Sequence, residues 1–527
     1  LVSKLLTYKC IIMKNKFLKS IKTVLITLTV ITGTWSCAKI DDFGTTNTNP
    51  NGISVPPTSA LLTNVQSQLG GIANSTRTAT YCQYVAENQY TDISLYQLPQ
   101  LEMGTFYTAP LNDLQIIIAL NSDAKTAGTA SAFGSNANQI ATAKILKGYL
   151  YWVITDRWGD IPYSEALKGA GVLYPKYDKQ EDIYFAIMKE LKEAVAGFDG
   201  GATVKGDVMY NGNVAKWKKL GNSLRMLMAM RLTKKYPAAG GKAALEFADA
   251  ASNASGFINS NVDNWVLSFP GGNFKNTWYG VYESRDDYAE SKTLGDVLAG
   301  LGDTRQSVFG TNTVTFPYGL TRDLAVQFAN SKGNGQSRVM AASKRTQSSP
   351  VIIVNASSVL LALAEGIERG WSTTNSSSYT TAEAAYNAGV TASFDEWGLT
   401  IPAAYLSGGA NYTSGAGVST NIGGEAAPYD NFRAASGNIQ DASTTTKLQR
   451  IALQRWLAAF PNGNEGWAEF RRTGVPNLKT TRFSTGPFVV RYVYGANDYS
   501  ANNENTKAAA AALPGGDKQD SKIWWAQ

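Results

Sequence analysis

Histidine is absent from the 527 residues, and cysteine nearly so, at 3. Without an imidazole there is no Ser-His-Asp or Cys-His catalytic apparatus, no His-ligated zinc or iron, and no histidine proton shuttle. Catalysis would be left to carboxylate, Lys or Tyr chemistry. A true charge excess is missing too. The formal charge is +7, from 48 Lys+Arg against 41 Asp+Glu, but residues 1–36 hold Lys4, Lys9, Lys14, Lys16, Lys19 and Lys22 and no acid. Without those six the balance is 42 against 41, or +1. A near-neutral body excludes the diffuse grip on phosphate backbones that nucleic-acid binding requires. Phosphate cradles are absent as well: Gly333-Asn334-Gly335 lacks a third glycine and a preceding strand, and no Gly-Lys-Ser/Thr follows a glycine-rich turn. No EF-hand spacing is present, so neither a cofactor nor a metal is expected.

What is present begins with an address. From Met13 a basic stretch leads into an uncharged run over residues 23–35, then Ser36-Cys37. That run is well short of the ~20 residues that span a bilayer, so residues 1–36 read as a leader, with residues 1–12 upstream of a start at Met13. Cys37 stands where a bacterial lipoprotein signal places its acylated cysteine. The alternative is an ordinary signal peptide with an incidental Cys. Acyl chains there would anchor the protein, and residues 37–57, rich in Thr, Asn and Pro, read as the tether. With Cys10 in the leader and Cys37 acylated, Cys82 has no disulfide partner.

Residues 58–527 read as one helical domain. Apolar spacing predicts helices over 138–155, 182–198, 214–236, 242–252, 357–369, 381–397, 446–460 and 465–472. They come as pairs joined by short turns, resembling tetratricopeptide hairpins without a clean 34-residue period. Residues 256–350 change to Gly, Asn, Ser and aromatics with broken periodicity. This predicts long irregular loop insertions and a few short strands within a mostly α scaffold. Residues 405–440 and the tail from 497 read as irregular.

Five blocks together resemble the SusD/RagB family of nutrient-binding outer-membrane lipoproteins. They are Asn47-Thr48-Asn49-Pro50-Asn51; Asp156-Arg157-Trp158-Gly159-Asp160-Ile161-Pro162-Tyr163; Lys216-Trp217 through Arg225 with Met230-Arg231-Leu232; Gln454-Arg455-Trp456 with Asn464-Glu465-Gly466-Trp467 through Gly474; and Arg491-Tyr492-Val493-Tyr494 with Gly515-Gly516-Asp517 and Trp524-Trp525. Gly495, where Pro is usual, and the Ala526-Gln527 ending depart from the pattern. The resemblance implies a lipid-anchored protein on the outer membrane, on its extracellular face. It also implies a cap on a SusC-like, TonB-dependent barrel, to which oligosaccharide or peptide is delivered. Arg157, Asp160, Arg225, Arg471 and Arg472, set among aromatics at helix ends, read as scaffold.

A sugar site pairs a flat Tyr or Trp with polar groups that bond hydroxyls. Two clusters have that composition. One is Tyr81, Tyr84, Gln89, Tyr90, Asp92 and Tyr96, with Tyr84 on helix-like spacing and expected in the core. The other is Trp278, Tyr279, Tyr282, Glu283, Arg285, Asp286, Asp287 and Tyr288. Gln89, Tyr90, Tyr96, Trp278, Tyr279, Tyr282 and Asp286 are the expected ligand contacts; Trp265, Phe269, Phe274 and Tyr318 are weaker candidates. No catalytic residue is expected. Two alternatives stand beside this reading: a surface-anchored glycoside hydrolase using a carboxylate pair such as Glu283 with Asp287, and a structural or adhesive surface protein.

Overall fold

The computed structural model describes residues 55–371, 379–408, 410–412, 446–478, 480–481 and 483–527. The leader, Cys37, most of the tether and residues 413–440 lie outside them. From Pro57 the chain forms one compact unit.

Along this unit α1 (Thr58–Ala73) and α2 (Thr76–Tyr81) lead into β1 (Val85–Glu87). Next come α3 (Asn112–Ser122) and α4 (Asn136–Trp158), then β2 (Ile161–Pro162) and β3 (Tyr177–Asp178). Three helices follow, α5 (Gln180–Gly197), α6 (Val214–Arg231) and α7 (Lys242–Ala251). The middle holds β4 (Trp265–Leu267), α8 (Thr277–Val281), β5 (Tyr288–Glu290), α9 (Lys292–Leu301), α10 (Arg322–Ser331) and β6 (Val351–Val354). Beyond it lie α11 (Ala356–Glu368), α12 (Ala382–Glu396), α13 (Lys447–Ala459), α14 (Gly463–Thr473), α15 (Ala496–Ala501) and α16 (Asn503–Ala512).

Sequence neighbours pack side by side, as paired-helix scaffolds do: α3 on α4, α4 on α5, α5 on α6, α6 on α7, then α11 on α12 and α13 on α14. The ends of these helices follow from their residues. Ser135 accepts the Asn138 amide at the start of α4, Asn213 accepts the Lys216 amide at the start of α6, and Thr446 with Gln449 forms a capping box before α13. Gly159 stops α4 at φ +91, a conformation a side chain resists. Gly221 serves contact instead: a Cβ there would lie 2.5 Å from Val195, so α5 and α6 approach only because it is glycine.

Two expectations need correcting. The 256–350 stretch is not only loops and strands, since α9 and α10 lie within it. In α9, Leu294, Val297, Leu298 and Leu301 keep helical spacing that the polar surroundings masked. The tail from 497 likewise carries α15 and α16, because an alanine run needs no apolar stripe to be helical.

The arginine-bearing blocks build the centre. Glu365 of α11 receives Arg472 at 2.6 Å and Arg455 at 3.1 Å, and Glu469 of α14 receives the same two arginines at 2.7 and 2.8 Å. Arg231 of α6 extends the network to Glu469 at 3.1 Å, Glu465 at 2.8 Å and Asp156 at 3.4 Å. Burial opposes the ionised form of Glu365, but Arg472, Arg455 and Arg369 outweigh it and hold the carboxyl well below the usual carboxylate range. Arg471 donates to the Asp156 carbonyl at 2.7 Å and lies over the Trp467 ring at 3.6 Å. Arg157 donates to Asn464 at 2.7 Å, Asp160 accepts the Gln180 amide at 2.9 Å, and Arg225 pairs with Glu246 at 2.6 Å. All five of these groups serve the scaffold. Cys82 is a buried free thiol.

Candidate ligand-binding site

The antiparallel pair β1/β5 brings the two aromatic clusters together. Its register is Val85 with Glu290, Ala86 with Ala289 and Glu87 with Tyr288, and the Asn88 amide continues it by donating to the Asp287 carbonyl at 3.0 Å. The segment after β1 and the segment before β5 therefore leave the ladder at the same end. Glu87 closes the first into a loop. Its carboxylate accepts the Ser94 amide at 2.8 Å and the Ser94 hydroxyl at 3.0 Å, and burial pushes its pKa up to about 7.

At the tip of that loop Tyr90 is 55% exposed. Two guanidiniums approach its ring, Arg285 at 5.0 Å from the facing loop and Arg322 at 5.6 Å from the first turn of α10. Arg285 is held by Asp287 at 2.6 Å, whereas Arg322 makes no ion pair among the described residues. An open aromatic face bordered by forked donors can take the weakly apolar face of a sugar and bond its hydroxyls. Gln89 is half-buried beside it. Arg322 is absent from the expected contacts: it lies outside both aromatic clusters in sequence, and only the fold brings it to Tyr90.

The other expected contacts divide by burial. Tyr96 is 1% exposed, accepts from Gln83 at 3.0 Å and packs its ring on Tyr318 and Phe488, so it offers a ligand no face. Trp278 is fully buried and stacked on Tyr282. Tyr282 is buried as well, its hydroxyl donating to the Tyr288 carbonyl at 3.1 Å and accepting the Val339 amide at 3.0 Å, with Arg345 4.3 Å from its ring. These three are internal supports of the loop cluster and not surface contacts. Asp286 accepts Arg338 at 3.0 and 3.2 Å, which ties the cluster to the next segment. Tyr279 is half-buried and accepts from Gln347 at 3.1 Å, leaving it a partly open ring. Tyr84 lies in the core as expected, and so do Trp265, Phe269 and Tyr318, while Phe274 packs on Phe269.

For a hydrolytic pair, Glu283 and Asp287 are poorly placed. Glu283 is exposed and paired with Lys275, and Asp287 is paired with Arg285, so each holds a cation of its own. Neither has the apolar enclosure that keeps a general acid protonated. Among the described residues no group of three or more His, Cys, Asp or Glu could hold a metal, and no helix is long and apolar enough to cross a membrane.

Comparison with solved structures finds the same fold repeatedly. A SusD homologue from Bacteroides uniformis superposes with a TM-score of 0.72 at 24% identity, over 89% of this chain and 99% of that one. A chitin-binding protein gives 0.69 at 24% over 89% and 100%. A chitin-binding SusD homologue from Flavobacterium johnsoniae gives 0.68 at 23% over 89% and 98%. No match is found among curated proteins. The model of the SusD-like family described as starch-binding and associating with the outer membrane matches residues 50–495. The helical-pair scaffold, the five ordered blocks and this match over most of the length agree: the chain belongs to the SusD-like family.

Proposed function

We propose that this protein is a non-catalytic receptor that captures oligosaccharide at the outer surface of the outer membrane. In this reading it is tethered there through acylated Cys37 and delivers the ligand to a SusC-like, TonB-dependent barrel. The observation that carries it is Tyr90, an exposed ring on a loop fixed by the β1/β5 ladder, with the guanidiniums of Arg285 and Arg322 close to it. Family membership supports a carbohydrate over a peptide, as do the chitin-binding names of two similar structures. Gln89 and Tyr279, half-buried beside the exposed ring or its supports, complete the proposed contact set.

The test is a glycan array followed by calorimetry on the purified chain, with co-purification from gently solubilised outer membranes. Binding to at least one oligosaccharide class, and recovery with a large barrel protein, are expected. Release of new reducing ends from a bound glycan would overturn the non-catalytic reading.

A further inference from the structure

A cavity of about 300 Å³ lies away from Tyr90, bounded by β6, the C-terminal ends of α12 and α13, and the residue that closes α1. Its walls are mixed. Trp397 and Phe460 supply aromatic faces and Val351 and Ile353 aliphatic ones, while Asn74, Lys344 and Glu396 bring polar heads to the same space. The polar groups are not all satisfied from within. Asn74 is 3% exposed, and its Oδ1 has no hydrogen-bond partner. A buried amide oxygen left without a donor is costly unless something in the cavity supplies one. Lys344, half-buried at the rim, makes no ion pair among the described residues. Glu396 accepts a long bond from Asn264, at 3.4 Å, and a second from Asn355, and burial pushes its pKa up to about 8, so near neutrality it can either donate or accept.

We infer that this cavity is a second binding site, for a neutral polyhydroxylated molecule the size of a single sugar ring. The size fits: at roughly 30 Å³ per water, the volume holds about ten waters, comparable to the heavy atoms of one pyranose. The chemistry fits as well. An open acceptor at Asn74, an open donor at Lys344 and a dual-purpose carboxyl at Glu396 match hydroxyl groups, which both donate and accept. Aromatic walls suit the C–H face of a sugar. A cation would meet Lys344, and no group of three or more His, Cys, Asp or Glu among the described residues could hold a metal ion there. This site stands apart from the Tyr90 reading, although it adjoins the buried supports of that loop cluster. Asn276, which caps α8, lines the cavity. So does Met340, next to the Val339 amide that bonds Tyr282.

The test uses saturation-transfer NMR on the full chain in a sugar-free detergent, with D-glucose, D-galactose, D-mannose and N-acetyl-D-glucosamine at millimolar concentration as probes. At least one monosaccharide is expected to give a signal that persists in Tyr90→Ala. Ser358 also lines the cavity, and Ser358→Trp, which fills it, should abolish the signal. Lys344→Ala removes one rim donor with little demand on folding and should weaken it about fivefold or more, as losing one hydrogen bond to a charged group does. The inference fails if no monosaccharide gives a signal with the wild-type chain. It fails equally if Tyr90→Ala removes the signal, or if Lys344→Ala and a folded Ser358→Trp both leave it intact. Oligosaccharide binding lost in Tyr90→Ala with the monosaccharide signal preserved would support both sites, so the two readings can fail separately.

Discussion

Tyr90 and Tyr96 share one loop and one residue type, yet the first stands open to solvent and the second is sealed against Tyr318 and Phe488. Composition identified both as sugar-binding candidates because an aromatic among polar residues looks the same in either place. The difference lies in the Glu87 to Ser94 closure, which turns the loop tip outward and folds its far limb back under. Substitution should separate them. Tyr90→Ala is expected to weaken oligosaccharide binding about tenfold with an unchanged melting temperature, measured by calorimetry and thermal unfolding. Tyr96→Ala should instead cost roughly 3–5 kcal/mol of stability in denaturant titration, as truncating a fully buried aromatic does. Arg322→Ala should weaken binding with no loss of stability, because the side chain is exposed and unpaired.

Among the elements, the helices were legible and the short strands were not. Amphipathic spacing placed α5, α11, α12 and α13 to within a few residues, since a helix writes its buried stripe into local sequence. A three-residue strand writes no such pattern. The β1/β5 pairing joins segments about two hundred residues apart, which no local signal reveals. That ladder carries two buried carboxyls, Glu87 and Glu290, each pushed by burial up to about 7. The folded state therefore keeps protons that the unfolded chain releases near pH 4.5, so stability falls as pH rises from about 5 to 7 and levels off above. Thermal unfolding should show a higher melting temperature at pH 5.5 than at pH 8. Glu87→Gln keeps an acceptor for Ser94 without the charge. It should flatten that dependence and add on the order of 1 kcal/mol or more at pH 8.

For the whole molecule, the Glu365, Glu469, Arg455, Arg472 and Arg231 network joins α6, α11, α13 and α14. Its pH behaviour has the opposite sign to that of the ladder. Glu365 titrates below its unfolded value, so its contribution is complete above the ordinary carboxylate range and is lost only in strong acid. Breaking the network is a different matter. Glu365→Ala leaves the buried cations Arg472 and Arg455 to share Glu469 alone and should cost roughly 3–5 kcal/mol at neutral pH, read as a shift in the denaturant midpoint. The arginine-rich blocks signalled this scaffold in the sequence and carry Glu465 and Glu469 themselves, but not Glu365, which arrives from a helix about a hundred residues away.

That distance has a temporal meaning. The Trp525 indole donates to Asp156 at 2.8 Å across 369 positions, and Arg491, which pairs with Asp517, also donates to the Trp158 carbonyl at 3.1 Å. The end of α4, laid down early as the chain emerges, thus waits for its last partners until the final segment has passed. Until then the Trp158 carbonyl lacks its Arg491 donor, and Asp156 is held only by Tyr184 and Arg231. Late closure of this kind leaves the end of α4 pliable until the last segment arrives, so the unit becomes rigid only when all of it is present.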